Sequence, residues 1–479
     1  MENRRGSLAG LGGLVTLMFM VLLIGTAFGQ EKEKAATPPS TAAEEAEKVA
    51  LPEEEEEKPP LLPEEPGYFP GLLPPSPYGT LSEVGPITGV MAPYGYPAAY
   101  DTLLRGWKAH RLGPVIVAPY FEYDGIYRSN IYQTSNNKQS DFVNCLNPGI
   151  RFELPILSRH KVSVGYLGNY YIYSENSDQS HYDHNVNADA VVNFRNNLSL
   201  RFGNTYRSAT EERNVSTSRK RNYDRINPYF TGTYAFADKW KFQGSYEYDC
   251  LDFADIQDRR NEYREHIGGM TLYYKFWPKT AALVQYIITS REYPYEPRGD
   301  NMSHTPLLGL TWDPTAKLSG TVKFGYTMKK FDQDVVGRDD SPDSWAMSLQ
   351  TLYRYSRFTT FTLTGQHSIQ EDIDLGNNNA YRNTGIYASW NHDWHFIRAA
   401  VYLAFAYTRN DYLGTIFDTG TGQFINRLDD IFSFGGGISR PITSWLRARL
   451  DYQYIDRSSN LSNYTYNEHR MLVGLQSSF

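Results

Sequence analysis

From Pro114 onward the chain alternates short and long connections between eighteen amphipathic runs, and this rhythm limits its fold more than any other feature. The runs are expected at about 114–127, 142–154, 161–174, 184–195, 198–210, 222–236, 239–251, 262–276 and 280–293. They continue at about 302–313, 317–331, 343–355, 358–371, 380–393, 397–412, 428–439, 443–456 and 464–479. Eight connections are short, among them Asn196-Asn197, Ala237-Asp238, Ser356-Arg357 and Trp394–Phe396. Nine are longer and polar, such as Arg128–Asp141, Glu211–Arg221, Pro294–Asn301 and Leu413–Arg427. Transmembrane barrels show this asymmetry and an even strand number. A soluble sandwich has no reason for it, and a propeller would repeat four-stranded blades with tight turns.

The faces follow the two-residue period of a strand. In 317–331, Leu318, Val322, Phe324, Tyr326 and Met328 oppose Thr321, Lys323, Thr327 and Lys329. In 443–456, Leu446, Ala448, Leu450 and Tyr452 oppose Arg447, Arg449, Asp451 and Gln453. Lipid cannot satisfy an open sheet edge, so such strands must close. The expected fold is all-β: a closed antiparallel transmembrane β-barrel of about 18 strands with a disordered amino-terminal arm. After residue 29 no apolar run reaches the ~18 residues a membrane helix needs.

Both ends agree. Arg4 and Arg5, the apolar run Leu11–Phe28 and the small residues Ala27 and Gly29 read as a signal peptide over 1–29. Residues 30–66 hold twelve Glu and four Lys and form an acidic, Pro-rich arm that cannot bury enough apolar surface to order itself. Residues 67–112 lack periodicity and read as an irregular periplasmic segment, a tether or small plug, ahead of a barrel at 113–479. The last strand sets Met471, Val473, Leu475 and the terminal Phe479 on one face. This strand, with Phe479, Leu475 and Val473 as its expected insertion signal, resembles the terminal strand by which Gram-negative outer-membrane barrels are recognised for insertion, which implies an outer-membrane chain with both termini periplasmic. The whole chain carries −7 and the arm −8, so the acidity belongs to the arm.

Eighteen strands enclose more space than wall side chains fill. The inward register selects a pore lining of Arg151, Arg195, Arg201, Arg225, Lys323, Lys329, Arg354, Arg398, Arg447 and Arg449, with Tyr229 and Tyr402 among them. A basic wall would favour anions, and interleaved Tyr would offer flat faces to sugar rings. Alternatively these charges pair across strands. The ten His are scattered, Cys145 and Cys250 fall on opposite faces, and no catalytic, metal or cofactor motif appears. The expectation is a non-enzymatic chain with no cofactor and no nucleic-acid partner.

Three carboxy-terminal segments carry a family likeness: Gly309-Leu310-Thr311-Trp312-Asp313-Pro314-Thr315, Arg427-Leu428-Asp429-Asp430 with Phe434-Gly435-Gly436-Gly437-Ile438, and Leu450-Asp451-Tyr452-Gln453-Tyr454. Over roughly residues 115–479 the chain resembles the outer-membrane β-barrel porins often encoded with exopolysaccharide systems. The resemblance implies an exit pore for a secreted polysaccharide that works with a periplasmic polysaccharide-export protein. The acidic arm departs from the simplest family pattern. Two other functions fit the residues: a general or anion-preferring diffusion porin for small anionic solutes, and a scaffold barrel around partner proteins such as electron carriers.

Overall fold

A computed structural model describes residues 110–478 except 158, 214–218, 316, 337, 372–379 and 419–421. The expected signal peptide, the acidic arm, residues 67–109 and Phe479 lie outside the described residues.

The chain forms β1 (His110–Leu112), β2 (Val115–Arg128), β3 (Asp141–Ile156), β4 (His160–Tyr173), β5 (His181–Asn193), β6 (Leu198–Glu211), β7 (Arg221–Ala237), β8 (Trp240–Phe253), β9 (Tyr263–Trp277) and β10 (Thr280–Glu292). It continues with β11 (Asn301–Thr315), β12 (Leu318–Phe331), β13 (Asp343–Arg354), β14 (Thr359–Glu371), β15 (Ala380–Trp394), β16 (Ala399–Asp418), β17 (Gln423–Pro441), β18 (Leu446–Ser459) and β19 (Tyr466–Ser478). From β2 to β19 each strand pairs antiparallel with the next, and β19 returns to β2 with Arg470 opposite Arg128 and Ser478 opposite Tyr120. The result is a closed eighteen-stranded antiparallel barrel.

The seam explains β1. The pairing with β19 ends at Tyr120, so the first residues of β2 lack a partner on that side. Their other side is taken by β3, with Ile116 opposite Glu153. β1 fills the gap, His110 opposite Val117 and Leu112 opposite Val115. Residues 110–112 are thus a strand and not the end of an irregular segment, because an unpaired edge would leave backbone donors and acceptors without partners.

Connections at one rim take two to four residues, and those at the other are mostly longer. The β16–β17 hairpin differs from expectation. Its ladder runs past the rim, through a shift between Asp411 and Thr415, to Asp418 opposite Gln423. The polar stretch after Leu413 is therefore strand rather than loop, since Thr415, Ile416 and Phe417 find partners in Asn426, Ile425 and Phe424.

Alternate residues separate two media. On β11 and β12, Leu308, Leu310, Phe324, Tyr326 and Met328 are exposed, while Thr305, Thr311, Lys323, Thr327 and Lys329 are buried. A water-soluble sheet would do the reverse. The exposed apolar side chains form an outward band, with Phe152, Tyr234, Trp240, Tyr274 and Tyr353 near its short-turn edge. Such a band is stable only against lipid.

This inversion is testable at Leu308, which is 65% exposed in mid-strand. Leu308→Arg should destabilise the barrel by roughly 2–4 kcal/mol in a bilayer, the cost of a base on a lipid-facing wall. Urea titration in vesicles, read by heat-modifiable gel mobility, measures it. A loss near zero would mean that this face does not meet lipid.

Candidate functional site: the barrel interior

The interior wall is an array of paired charges. Near the seam, Arg449 on β18 reaches Glu122 and Asp124 on β2, each at 2.9 Å, and Asp451 at 3.7 Å. The Tyr402 hydroxyl donates to Asp451 at 2.8 Å and Asn147 donates to Asp124 at 3.2 Å. Glycine makes this convergence possible. Gly474 lies between Arg449 and Asp124 in the ladder, and a Cβ there would stand 2.7 Å from the Arg449 Nε. Any larger residue would drive the pair apart.

A second network lies at the long-loop rim. Arg128 donates to Glu468 at 2.7 Å and to Glu212 at 2.6 Å, and Glu468 also holds Arg470 at 2.8 Å. Beside it, Arg427 and Arg457 share Asp429 at 2.7 and 2.6 Å. The Arg427 guanidinium is sandwiched by the Tyr412 and Tyr464 rings, 4.5 and 3.6 Å from their centroids. Across the barrel, Arg225 grips Asp249 with two bonds of 2.7 and 2.6 Å, and Arg291 meets Glu265 at 2.9 Å over the Tyr263 ring.

The sequence-derived lining divides. Arg201 bonds Asp189 at 2.7 Å, as does the Tyr229 hydroxyl, and Arg151 lies 3.5 Å from Glu153. Lys329 donates to Asn301 and pairs with Glu371, and Lys323 is buried on the same strand. Arg354 and Arg447 keep the inward register but are exposed near the short-turn rim.

Arg195 and Arg398 are corrections: both sit in exposed short turns, not on the wall. Strand β5 stops at Asn193, and the Phe194 amide closes on the Leu198 carbonyl with Asn197 at φ 61°. Arg398 itself has φ 51°, a left-handed conformation that a strand residue cannot hold.

Val473 and Leu475 are exposed on the outward face of β19. Cys145 faces the interior and Cys250 the outside, and both thiols are free.

Sequence reasoning missed the rim. Arg128 ends β2, Arg221 begins β7 and Arg427 lies within β17, whereas the sequence reading assigns all three to loops. Their signal was available: each lies in inward register with an acid on its own or the adjoining strand, as Arg221 does with Glu211 at 2.6 Å.

The rim loop carries one strongly shifted group. Burial opposes the charge of Glu212, but the Arg128 guanidinium, then His181 and hydrogen bonds from Tyr173 and Arg128, hold its carboxyl down at about 2.

A family model described as "Putative beta-barrel porin 2" matches residues 108–479. Among solved structures, the chain is similar to the outer membrane protein OpdK of Pseudomonas aeruginosa, at 12% identity and a TM-score of 0.40, over 76% of this chain and 99% of that one. OccK2 (OpdF) of the same organism is 9% identical with a TM-score of 0.45, over 76% and 98%. OccAB4 of Acinetobacter baumannii is 12% identical with a TM-score of 0.41, over 77% and 99%. No curated protein matches significantly.

Two outcomes check the charge array. Arg449→Met strands three buried carboxylates and should cost roughly 3–5 kcal/mol, the price of breaking a buried ion pair. Denaturant titration should show part of that loss recovered when Asp124→Asn is added. The Glu212 contribution is present above its ordinary value of 4.5 and lost as pH falls through about 2. Between those values the wild type should therefore lose more stability than Glu212→Gln, measured by thermal unfolding at each pH; equal losses would remove the Arg128–Glu212 contact from the account.

Proposed function

We infer the role of this chain from one premise: it belongs to the family described as "Putative beta-barrel porin 2". It is a porin-type β-barrel of the Gram-negative outer membrane. The reading that fits its interior best is an exit pore for a secreted polysaccharide.

The supporting observation is the compensated wall. Arg201, Arg225, Arg291 and Arg449 each contact a carboxylate, so the lining offers hydrogen bonds without a strong field of either sign. Charged rings select ions, whereas paired charges interleaved with Tyr229, Tyr263 and Tyr402 suit a hydroxyl-rich solute. Aromatic faces take the apolar side of a sugar ring and the paired groups take its hydroxyls. An anion-preferring porin would need unpaired bases, and this wall gives it less support.

In this reading the long loops face the exterior and the short turns face the periplasm. A periplasmic export protein docks at the short-turn rim. Val473, Leu475 and Phe479 serve as the insertion signal.

Deleting the gene in its host should abolish surface and secreted polysaccharide, with recovery on complementation. In planar bilayers under a salt gradient, the purified barrel should give a reversal potential near zero and be blocked by added linear oligosaccharides. Unchanged polysaccharide with an anion-selective reversal potential would make the chain a diffusion porin.

A further inference from the structure

One junction in the barrel wall parts before its strands end. The β13–β14 ladder stops at Met347 opposite His367. Yet β13 begins four residues earlier, at Asp343, and β14 runs four residues further, to Glu371. Both extensions stay paired on their other sides, Asp343 opposite Met328 on β12 and Glu371 opposite Ala380 on β15. Four rungs are therefore missing between two ordered strands at the long-loop end, over roughly 13 Å at ~3.3 Å per residue. The β5–β6 junction also stops short, at His184 opposite Ser208, but there the Asp183 carboxylate accepts the Thr210 amide at 2.9 Å and replaces a rung.

Side chains close the β13–β14 gap. His367 is buried, and its two ring nitrogens meet the Ser344 hydroxyl at 2.8 Å and the Thr384 hydroxyl at 2.7 Å. The Trp345 indole lies flat on the imidazole, with ring centroids 3.8 Å apart and planes 4° from parallel. On the lumen side, Lys329 of β12 reaches past β13 to pair with Glu371 of β14. On the outward side, the Arg382 guanidinium of β15 reaches past β14 and donates to the Asp343 carbonyl at 3.5 Å. Both of these long links join strands that are not neighbours in the sheet.

The lumen wall beside the gap is apolar. Ile267, Ile287, Leu307 and Ala346 form one buried cluster. Leu307 and Ala346 share a row of the ladder, each opposite Gly325, and Ala346 lies at the first missing rung. On the outward side of the gap stand Trp345 and Phe324, 41% and 58% exposed. Apolar surface thus reaches the gap from both faces. Backbone without rungs is costly against lipid, and an apolar row serves neither an ion nor a hydroxyl-rich solute. A wall that opens here accounts for both. Side-chain links part and re-form without unzipping a ladder, and parting them joins the apolar row to the lipid-facing surface.

We propose that the β13–β14 junction is a side gate for the acyl chain of a membrane amphiphile. The chain passes between the bilayer and the row Ile267–Ile287–Leu307–Ala346, and the polar head stays among the paired groups of the lumen. Lys329–Glu371 and the His367–Trp345 stack hold the gate shut at rest. The gate does not depend on a polysaccharide being the solute of the pore.

Full-length protein in nanodiscs containing palmitic acid with a diazirine near its methyl end tests the gate. After illumination, adducts are located by peptide fragmentation at outward Val284 and Leu308 and at inward Ile287 and Leu307. The wild type should be labelled heavily outward and weakly inward. Lys329→Cys with Glu371→Cys removes the lumen-side link and should raise inward labelling several-fold. Joining the two thiols with a short bis-methanethiosulfonate linker should return it to background, and reductant should raise it again, with outward labelling constant throughout. His367→Ala should raise inward labelling several-fold by itself. Inward labelling that the linker leaves unchanged would mean that the chain enters through the mouth of the pore, and the gate falls. Inward positions unlabelled in both variants would overturn it equally.

Discussion

Every backbone donor and acceptor that faces lipid must be bonded within the protein, and the rest of the structure depends on how the chain meets that demand. Neighbour pairing meets most of it, but at the seam strand shear leaves the start of β2 unmatched by β19. Three residues of β1 complete the ladder. A segment that is irregular by composition becomes ordered at its last three residues because the barrel offers it bonds that no solvent can replace. The same closure fixes the register, and register decides which side chain meets which medium, since a slip of one residue exchanges the two faces.

Inside the wall the governing term is desolvation. A buried guanidinium without a carboxylate costs more than its pair contributes, so bases and acids arrive together. The sequence held an indication of this balance. With the acidic arm set aside, the remaining chain is close to neutral, and a strongly basic wall would have required acids gathered elsewhere. They lie in the wall itself. Asp183 is 3.7 Å from Arg207, Glu265 faces Arg291, and Asp429 serves two arginines. A lining chosen by its bases alone loses this compensation, and with it the difference between an anion filter and a hydrogen-bonding surface.

The barrel was legible because two independent signals coincide: the two-residue period and the alternating connections. Periodicity is carried by many residues, so an error at one position does not remove a strand. The site rests on single positions. Arg195 and Arg398 fall out of the wall because a strand ends two residues early or begins two residues late, and a turn then takes them with positive or turn-specific backbone. Arg128 and Arg427 enter it for the opposite reason. Pairing distances such as Arg449 to Glu122 join residues from the two ends of the barrel sequence. No local pattern reports them, and only Gly474, a residue without a side chain at the crossing point, hints that something must pass.

The two faces also differ in what repeats. An outward tyrosine bonded to the neighbouring strand recurs in eight hairpins, yet the inward residue that follows it is Asp124, Leu167, Arg207, Glu247, Ile287, Thr327, Thr408 or Gln453. These share neither charge, size nor polarity. Lipid is the same around the whole circumference, so the outward face answers one constraint with one repeated device. The interior meets a different neighbour at every strand, and each inward residue is set by the partner across from it. A hairpin whose outer face is constant can therefore change its inner face one residue at a time. The period of two that lets a strand cross the membrane is what frees the passage to be tuned without disturbing the surface that holds it there.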